Sequence, residues 1–366
     1  MTKRFPKVAL FLGAGASRAF GYPTTLEFAQ TLKKVLSNEE KRIYESMLAF
    51  TQTPDIENVL RILDLTIEFC SIPYAQALCK HADFSVDSNG GKASHLILDL
   101  NKFVSSCKNL KGTIVNELHT QYEFDRNRLS DIIAYYNSLD LILGQFNRAA
   151  KLHIFTTNYD SVFERFCIDS GREIEFTCGF STDYRSGRQF WSPEELRNWK
   201  YDEIRSQGFW VYKLHGSLDW RETEDEKIER VPTEEKVSSR TRRYKSNILI
   251  YPAQKNYETE EPFRRLQKYF VEVLNRHKLC LVIGFSFRDP AINNVFLDFL
   301  GFNRKRRLVV VSPSASVNVD TNLVSGGEYR EQIECIDKPF GKKVTFESIS
   351  ETLARIFRET RNEERL

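Results

Sequence analysis

Short apolar runs that end in small or polar residues recur along the chain: Val8–Leu12, Leu152–Phe155, Phe209–Leu214, Leu281–Ile283 and Leu308–Val311. They are apolar at consecutive rather than alternate positions, the pattern of strands covered on both faces in a parallel sheet. Helical patterns lie between them. Pro262 is placed to open a helix on which Phe263, Leu266, Phe270, Val273 and Leu274 share one face. That helix leads directly into the run KLCLVIGFSF. Strand alternating with helix predicts an α/β fold, a Rossmann-like doubly wound parallel sheet.

From about Leu26 to Ala150 the alternation breaks. Ile56, Val59, Leu60, Leu63 and Ile67 form one helical stripe, and Ile132, Ile133, Tyr136, Leu139 and Leu143 another. A polar loop, Ser85–Ser94, separates two groups of helices. Residues 26–150 are therefore expected as a helical module, inserted into or packed over a core made of residues 1–25 and 151–345. Residues 346–366 are expected as a C-terminal helix. Within the core, Arg221–Lys245 holds eight basic and seven acidic residues with few apolar anchors, which reads as a charged, solvated loop over 221–245.

Composition narrows the class. A chain of 366 residues suits about two domains, and 41% hydrophobic with 13% aromatic residues is enough for a large core. Lys plus Arg is 53 against 50 Asp plus Glu, a net +3 that excludes binding by global attraction to phosphates. The cluster Arg304–Arg307 suits a solvated loop or a local nucleic-acid contact. No apolar run approaches the roughly 20 residues that span a bilayer. The opening MTKRFPKVALFLGAGAS reads as a buried strand, since a Gly-rich turn interrupts it before a signal-peptide pattern is complete. Seven cysteines, an odd number without a C-x-x-C pair, read as core thiols of a reducing cytoplasm. A soluble, cytoplasmic, globular protein without a membrane segment is the expectation.

Four segments carry candidate chemistry, each where an apolar strand ends. Gly13-Ala14-Gly15-Ala16-Ser17 is a Gly-rich turn whose backbone can approach a pyrophosphate, although Arg18 stands where a full dinucleotide fingerprint has its third glycine. A tight strand–helix turn needs the same glycines. Thr156-Thr157-Asn158-Tyr159-Asp160 follows the second strand, where an α/β sheet places ligand contacts; Asn158 and Asp160 equally suit an Asx turn capping the next helix. Lys213-Leu214-His215-Gly216-Ser217 offers a histidine fit for proton transfer near neutral pH. In Gly284-Phe285-Ser286-Phe287-Arg288-Asp289-Pro290, Gly284 and Ser286 permit close approach of a ribose or phosphate, and Asp289 before Pro290 reads as a helix cap.

In content and order these segments resemble the sirtuin family, whose pattern is a GAG-x-S turn, a T-Q-N-x-D segment, a catalytic H-G and a later G-x-S. Gly21-Tyr22-Pro23 echoes that family's G-I-P. The departures are specific: Thr157 replaces the glutamine, Thr24-Thr25-Leu26 replaces a Phe-Arg, and no cysteine lies between His215 and Cys280, where sirtuin deacylases carry a zinc ribbon. This combination is similar to the zinc-ribbon-lacking, sirtuin-like NAD-hydrolysing domains of bacterial anti-phage defence proteins.

The resemblance implies an NAD+ glycohydrolase that takes NAD+ as substrate, with no zinc and no prosthetic group. It implies that Asn158 positions the ribose or the attacking water, Asp160 holds the carboxamide and His215 is the general base. Gly13, Ala14, Gly15, Ser17 and Thr157 would line the pyrophosphate and ribose. Gly284 and Ser286 would line the adenosine side, with Ser312, after the strand Leu308–Val311, as a further adenine-ribose candidate. It also implies control by homo-oligomerisation or by a partner such as a HerA-type ATPase or an Argonaute-like protein; the chain has no P-loop, so an ATPase activity would come from another chain. The alternatives are an NAD-dependent deacylase or ADP-ribosyltransferase, and a subunit that senses NAD or ADP-ribose without turnover.

Overall fold

The computed structural model describes residues 8–49, 56–72, 100–139, 141–142, 151–198, 207–231, 244–249, 261–341 and 344–362. The chain forms two compact units, Met1–Thr24 with Tyr122–Leu366, and Thr25–Gln121. In chain order the strands of the first unit are β1 (Val8–Leu12), β2 (Lys151–Thr156), β3 (Ile174–Thr177), β4 (Phe180–Thr182), β5 (Gln189–Trp191) and β6 (Gln207–Lys213). They continue with β7 (Gly216–Thr223), β8 (Ile228–Arg230), β9 (Tyr244–Leu249), β10 (Leu279–Ile283), β11 (Arg307–Ser312) and β12 (Ile333–Asp337).

Seven strands pair in parallel, in the order β12-β11-β10-β1-β2-β6-β3. On one side of β1 the chain adds β2 and the edge strand β3 before β6 fills the place between them, and it then crosses back to add β10, β11 and β12 on the other. The order thus reverses at β1 and β10, and the carboxyl ends of the strands around that reversal are where an open α/β sheet binds ligands. The expected doubly wound parallel sheet is present.

Side chains leave β1 alternately to two covered faces. Ala9 and Phe11 enter a core with Phe155, Phe270, Phe285 and Phe296, under the helices Phe263–Leu274 and Pro290–Phe302. On the other face Phe209 of β6 meets Phe163 at 5.3 Å, on the helix Val162–Asp169. Burial on both faces is why β1, β10 and the middle of β11 are apolar at consecutive positions. The face of Phe263–Leu274 anticipated from its periodicity is the buried one.

The helical unit contains Thr25–Leu32, Asn38–Ala49, Ile56–Ser71 and Leu100–Gln121. Val59, Leu60 and Leu63 are buried there with Phe28, Tyr44 and Ile114, while Ile67 of the expected stripe stays half-exposed. The expected span of 26–150 is too long for this unit. The helix Leu129–Asn137 packs in the sheet unit instead, because the Tyr136 ring meets Phe163 at 5.1 Å and Phe166 at 5.3 Å. Leu143 and the polar stretch 85–94 lie outside the described residues.

The charged segment 221–245 is not a solvated loop over its described parts. β7 and β8 form an antiparallel hairpin in a second sheet of order β4-β5-β8-β7-β9, and β9 begins at Tyr244; residues 232–243 lie outside the described ones. Its charges are consumed internally. Buried Glu229 accepts from the Arg188 Nε at 2.7 Å, and Arg230 Nε donates to Asp219 Oδ2 at 2.8 Å. Phe180, Trp191 and Trp220 pack between these strands. The basic cluster 304–307 is likewise divided: Arg306 is buried and donates to Asn275 Oδ1 at 2.7 Å and Phe299 O at 3.1 Å. No helix among the described residues is long and apolar enough to cross a membrane.

Candidate active site at the carboxyl ends of the parallel strands

The four chemistry-bearing segments, up to 276 positions apart in sequence (289 minus 13), close into one ring of hydrogen bonds. Asn158 Nδ2 donates to Gly13 O at 3.0 Å and Ser17 Oγ at 3.2 Å, joining the second segment to the first. Leu214 N donates to Thr156 O at 2.8 Å, joining the third to the second. His215 Nε2 lies 3.0 Å from Asp289 Oδ2, joining the fourth to the third. Gly15 N donates to Gly284 O at 2.9 Å and closes the ring. The segments end β1, β2, β6 and β10, which are neighbours in the sheet, so the topology itself brings them together.

The glycines serve this closure. A Cβ on Gly13 would sit 2.6 Å from Gly284 O, and one on Gly284, whose φ is +68°, would overlap the backbone of Gly15 and Ala16. The missing side chains are therefore required by the packing of one turn on the other. The amides of Gly13 and Gly15 are committed as well, to Ile283 O at 2.8 Å and to Gly284 O. The pyrophosphate contacts expected of this turn cannot come from those two N–H groups. Ala14 is half-buried at its outer edge, and Ser17 Oγ is already an acceptor for Asn158.

In the second segment the Thr156 hydroxyl bridges Leu12 O at 2.9 Å and Asn158 N at 3.0 Å, which fixes the turn on β1. Asn158 is 9% exposed; its amide nitrogen is fully used, and its Oδ1 is buried with no hydrogen-bond partner. A buried acceptor left open costs about 1–3 kcal/mol, and it suits a donor such as water or a ribose hydroxyl. Thr157 is half-buried, its N donating to Leu12 O at 3.3 Å. Asp160 is buried, and its Oδ1 accepts from Val162 N at 3.0 Å in an Asx turn just before the helix Val162–Asp169. Lys213, 1% exposed, donates to the Asp160 carbonyl and pairs with buried Glu164 at 3.2 Å. This lysine was not anticipated as part of the site; in sequence only its place at a strand end marks it.

His215 and Asp289 are both 2% exposed. Asp289 Oδ1 accepts from Ala291 N at 2.9 Å and Ile292 N at 3.3 Å, so the expected cap is present, and Oδ2 turns to His215. Burial pushes the Asp289 carboxyl up, but the hydrogen bond and charge of His215 with the two helix N–H groups outweigh it, and the net shift is downward. Tyr159 adds an aromatic wall, its ring centroid 6.4 Å from that of His215. Ser217 Oγ and Leu218 N both donate to Tyr159 O, at 3.3 and 3.2 Å.

The loop before Asp289 is tightly held. Phe287 takes a left-handed φ of 56°, uncommon for a bulky side chain and costing about 1–3 kcal/mol. Asn293 Nδ2 offsets this by donating to Phe287 O at 2.8 Å and Asn322 O at 3.0 Å, and Asn322 Nδ2 donates to Ser286 O at 2.9 Å. Ser286 is half-buried beside the ring of segments. Ser312 is buried at the end of β11, where its Oγ accepts from Ser314 N at 3.2 Å in a local turn. No group of three His, Cys, Asp or Glu side chains is arranged to hold a metal ion among the described residues.

Residues 152–329 match the profile of the SIR2-like domain. Solved structures with which it shares similarity include a Sir2 homologue triple mutant with 2′-O-acetyl ADP ribose, at 13% identity and a TM-score of 0.43, over 98% of this chain and 94% of that one. Another is a Sir2 homologue–NAD complex, at 13% identity and a TM-score of 0.42, over 98% of this chain and 90% of that one. No curated protein sequence matches the chain.

Proposed function

We propose that the protein is an NAD+ glycohydrolase that splits NAD+ into nicotinamide and ADP-ribose. The observation that carries this reading is the closed ring: one neighbourhood of the sheet holds a Gly-rich turn, an open buried amide oxygen on Asn158, and His215. In the reaction, the bond between the nicotinamide nitrogen and the ribose anomeric carbon breaks with its electron pair leaving on neutral nicotinamide. Positive charge develops on the ribose, and water adds to that carbon. Asn158 Oδ1 accepts a hydrogen bond from the water or a ribose hydroxyl, and His215 takes the proton released, a role worth about 10²–10⁴-fold in rate.

The half-buried edge at Ala14, with Gly13, Gly15, Ser17 and Thr157 shaping it, takes the pyrophosphate. Gly284, Ser286 and Ser312 lie toward the adenosine. The Asx turn from Val162 N to Asp160 Oδ1 leaves Oδ2 as the atom through which Asp160 would hold the carboxamide. The chemistry asks for no metal and no prosthetic group.

The sequence of motifs also supports a role as an anti-phage defence effector that depletes NAD+ in infected cells. Such an activity has to stay silent until triggered, through homo-oligomerisation or a partner such as a HerA-type ATPase or an Argonaute-like protein. Product analysis tests the reading. The purified chain is given NAD+ with and without an acetyl-lysine peptide, alone and with lysate of phage-infected cells. Nicotinamide and free ADP-ribose without peptide are expected. Release only with peptide would replace the hydrolase by a deacylase or transferase, and binding without release under every condition would leave a sensing subunit.

A further inference from the structure

We propose that Asp289 is a positioning residue that sets the proton on His215 while capping the helix Pro290–Phe302, one carboxylate oxygen for each task. An ionised carboxylate only accepts hydrogen bonds, so the 3.0 Å contact of Oδ2 with Nε2 requires the proton on Nε2. The lone pair, and with it the basic position of the neutral ring, is then on Nδ1. This deepens the hydrolase reading, on which its kinetic consequence rests.

Three features make the carboxylate a rigid reference. Its Oδ1 is pinned by Ala291 N and Ile292 N, and Pro290 at the first helical position fixes the backbone at that end. The helix behind it is anchored in the core by Ile292, Phe296, Phe299 and Leu300. The loop in front is strapped by Asn293 and Asn322 to the carbonyls of Phe287 and Ser286. The positive end of the helix dipole further favours the ionised carboxylate. A side chain that only capped would need one oxygen. Here the second reaches a ring 74 positions away, in a site where both partners are almost wholly buried.

Asparagine separates the two tasks. Asn caps as well as Asp, but with its oxygen on the helix N–H groups its Nδ2 faces Nε2, donor against donor. His215 must then move its proton to Nδ1. If the amide turns its oxygen to Nε2 instead, the cap is lost. The test uses the full chain labelled with ¹⁵N-histidine, in which long-range ¹H–¹⁵N spectra report which ring nitrogen is protonated, His215 being assigned through His215→Gln. Spectra are taken where the ring is neutral, with thermal midpoints alongside.

The wild type should show Nε2 protonated. Asp289→Asn should show either Nδ1 protonated with a near wild-type midpoint, or Nε2 protonated with the lower midpoint of Asp289→Ala; each outcome supports the double role. Nδ1 protonated in the wild type, or an Asp289→Asn protein unchanged in both spectrum and midpoint, overturns it. Nicotinamide release by the switched Asp289→Asn form should fall at least about 10-fold and no further than the 10²–10⁴-fold that a general base supplies, with KM little changed. Release unaffected by His215→Ala would refute the hydrolase reading while the nitrogen spectra still decide the role of Asp289.

Discussion

Gly284→Ala is expected to destabilise the sheet unit well beyond Gly187→Ala, and the structure allows the effect to be divided. At a φ of +68° an alanine is strained by about 1–2 kcal/mol. Its Cβ would also overlap Ala16 N and the Gly15 carbonyl carbon and lie 2.6 Å from Gly15 Cα. These are backbone atoms of a turn tied down by Gly13 N to Ile283 O and Gly15 N to Gly284 O, so no side chain can swing away. Forcing them apart adds about 1–3 kcal/mol of overpacking, and each hydrogen bond lost adds about 0.5–1.5 kcal/mol. With both bonds lost the total is about 3–8 kcal/mol. Gly187→Ala is the internal control: it has the same φ of +68° but nothing within 4 Å of its Cβ position, so only the conformational part, about 1–2 kcal/mol, applies. The assay is urea unfolding followed by tryptophan fluorescence, with a common slope. All four tryptophans (Trp191, Trp199, Trp210 and Trp220) lie outside Thr25–Gln121, so the signal reports the sheet unit. A Gly284→Ala cost within about 1 kcal/mol of that for Gly187→Ala would refute the argument that the two turns need each other's missing side chains.

Lys213→Met leaves buried Glu164 without its cation and should cost about 3–5 kcal/mol. The double variant with Glu164→Leu should recover most of this, and costs that simply add in a double-mutant cycle would contradict a coupled pair. Asp219 is pushed up by burial but held below the usual carboxylate range by the charge and hydrogen bond of Arg230, assisted by Lys213. A carboxyl with a lowered folded value stabilises the protein above the unfolded pKa of about 3.9, and the contribution is lost as pH falls through the folded value. The urea midpoint should thus vary little from pH 7 to 5 on account of Asp219 and Asp289 and fall below about pH 4. An acid limb equally steep in Asp219→Asn would remove Asp219 from that account. Gly112→Ala, within the helix Leu100–Gln121 with open space around the added methyl, should raise the thermal midpoint of the helical unit by the equivalent of about 0.5–1 kcal/mol; circular dichroism checks it.

Strands buried on both faces announce themselves by unbroken apolar runs, and five of the seven in the parallel sheet were legible in that way. β3 and β12 were not, because Ile174–Thr177 and Ile333–Asp337 carry glutamates and expose part of their surface, which erases the run. The second sheet was hidden for a different reason. Arg188, Asp219, Glu229 and Arg230 look like solvent-facing charge until their partners are known, and those partners are side chains 11 and 41 positions away. The end of the helical unit was misplaced because Leu129–Asn137 has the same periodicity whether it packs on helices or on a sheet; the Tyr136 contacts decide it. At the site, each segment was visible where a strand ends. The ring was not, since the pairings of Asn158 with Gly13 and of His215 with Asp289 are set by strand order, and a D-P step reveals only the cap.

The central claim is that Asn158 and His215 cleave the nicotinamide–ribose bond. The most direct measurement is nicotinamide release from NAD+ by the purified chain, alone and with lysate of phage-infected cells, compared with His215→Ala and Asn158→Ala proteins of matched thermal midpoint. The account predicts release by the wild type that falls at least 10²-fold in both variants. Bound NAD+ with no nicotinamide under either condition, or variants that release it as fast as the wild type, would contradict it.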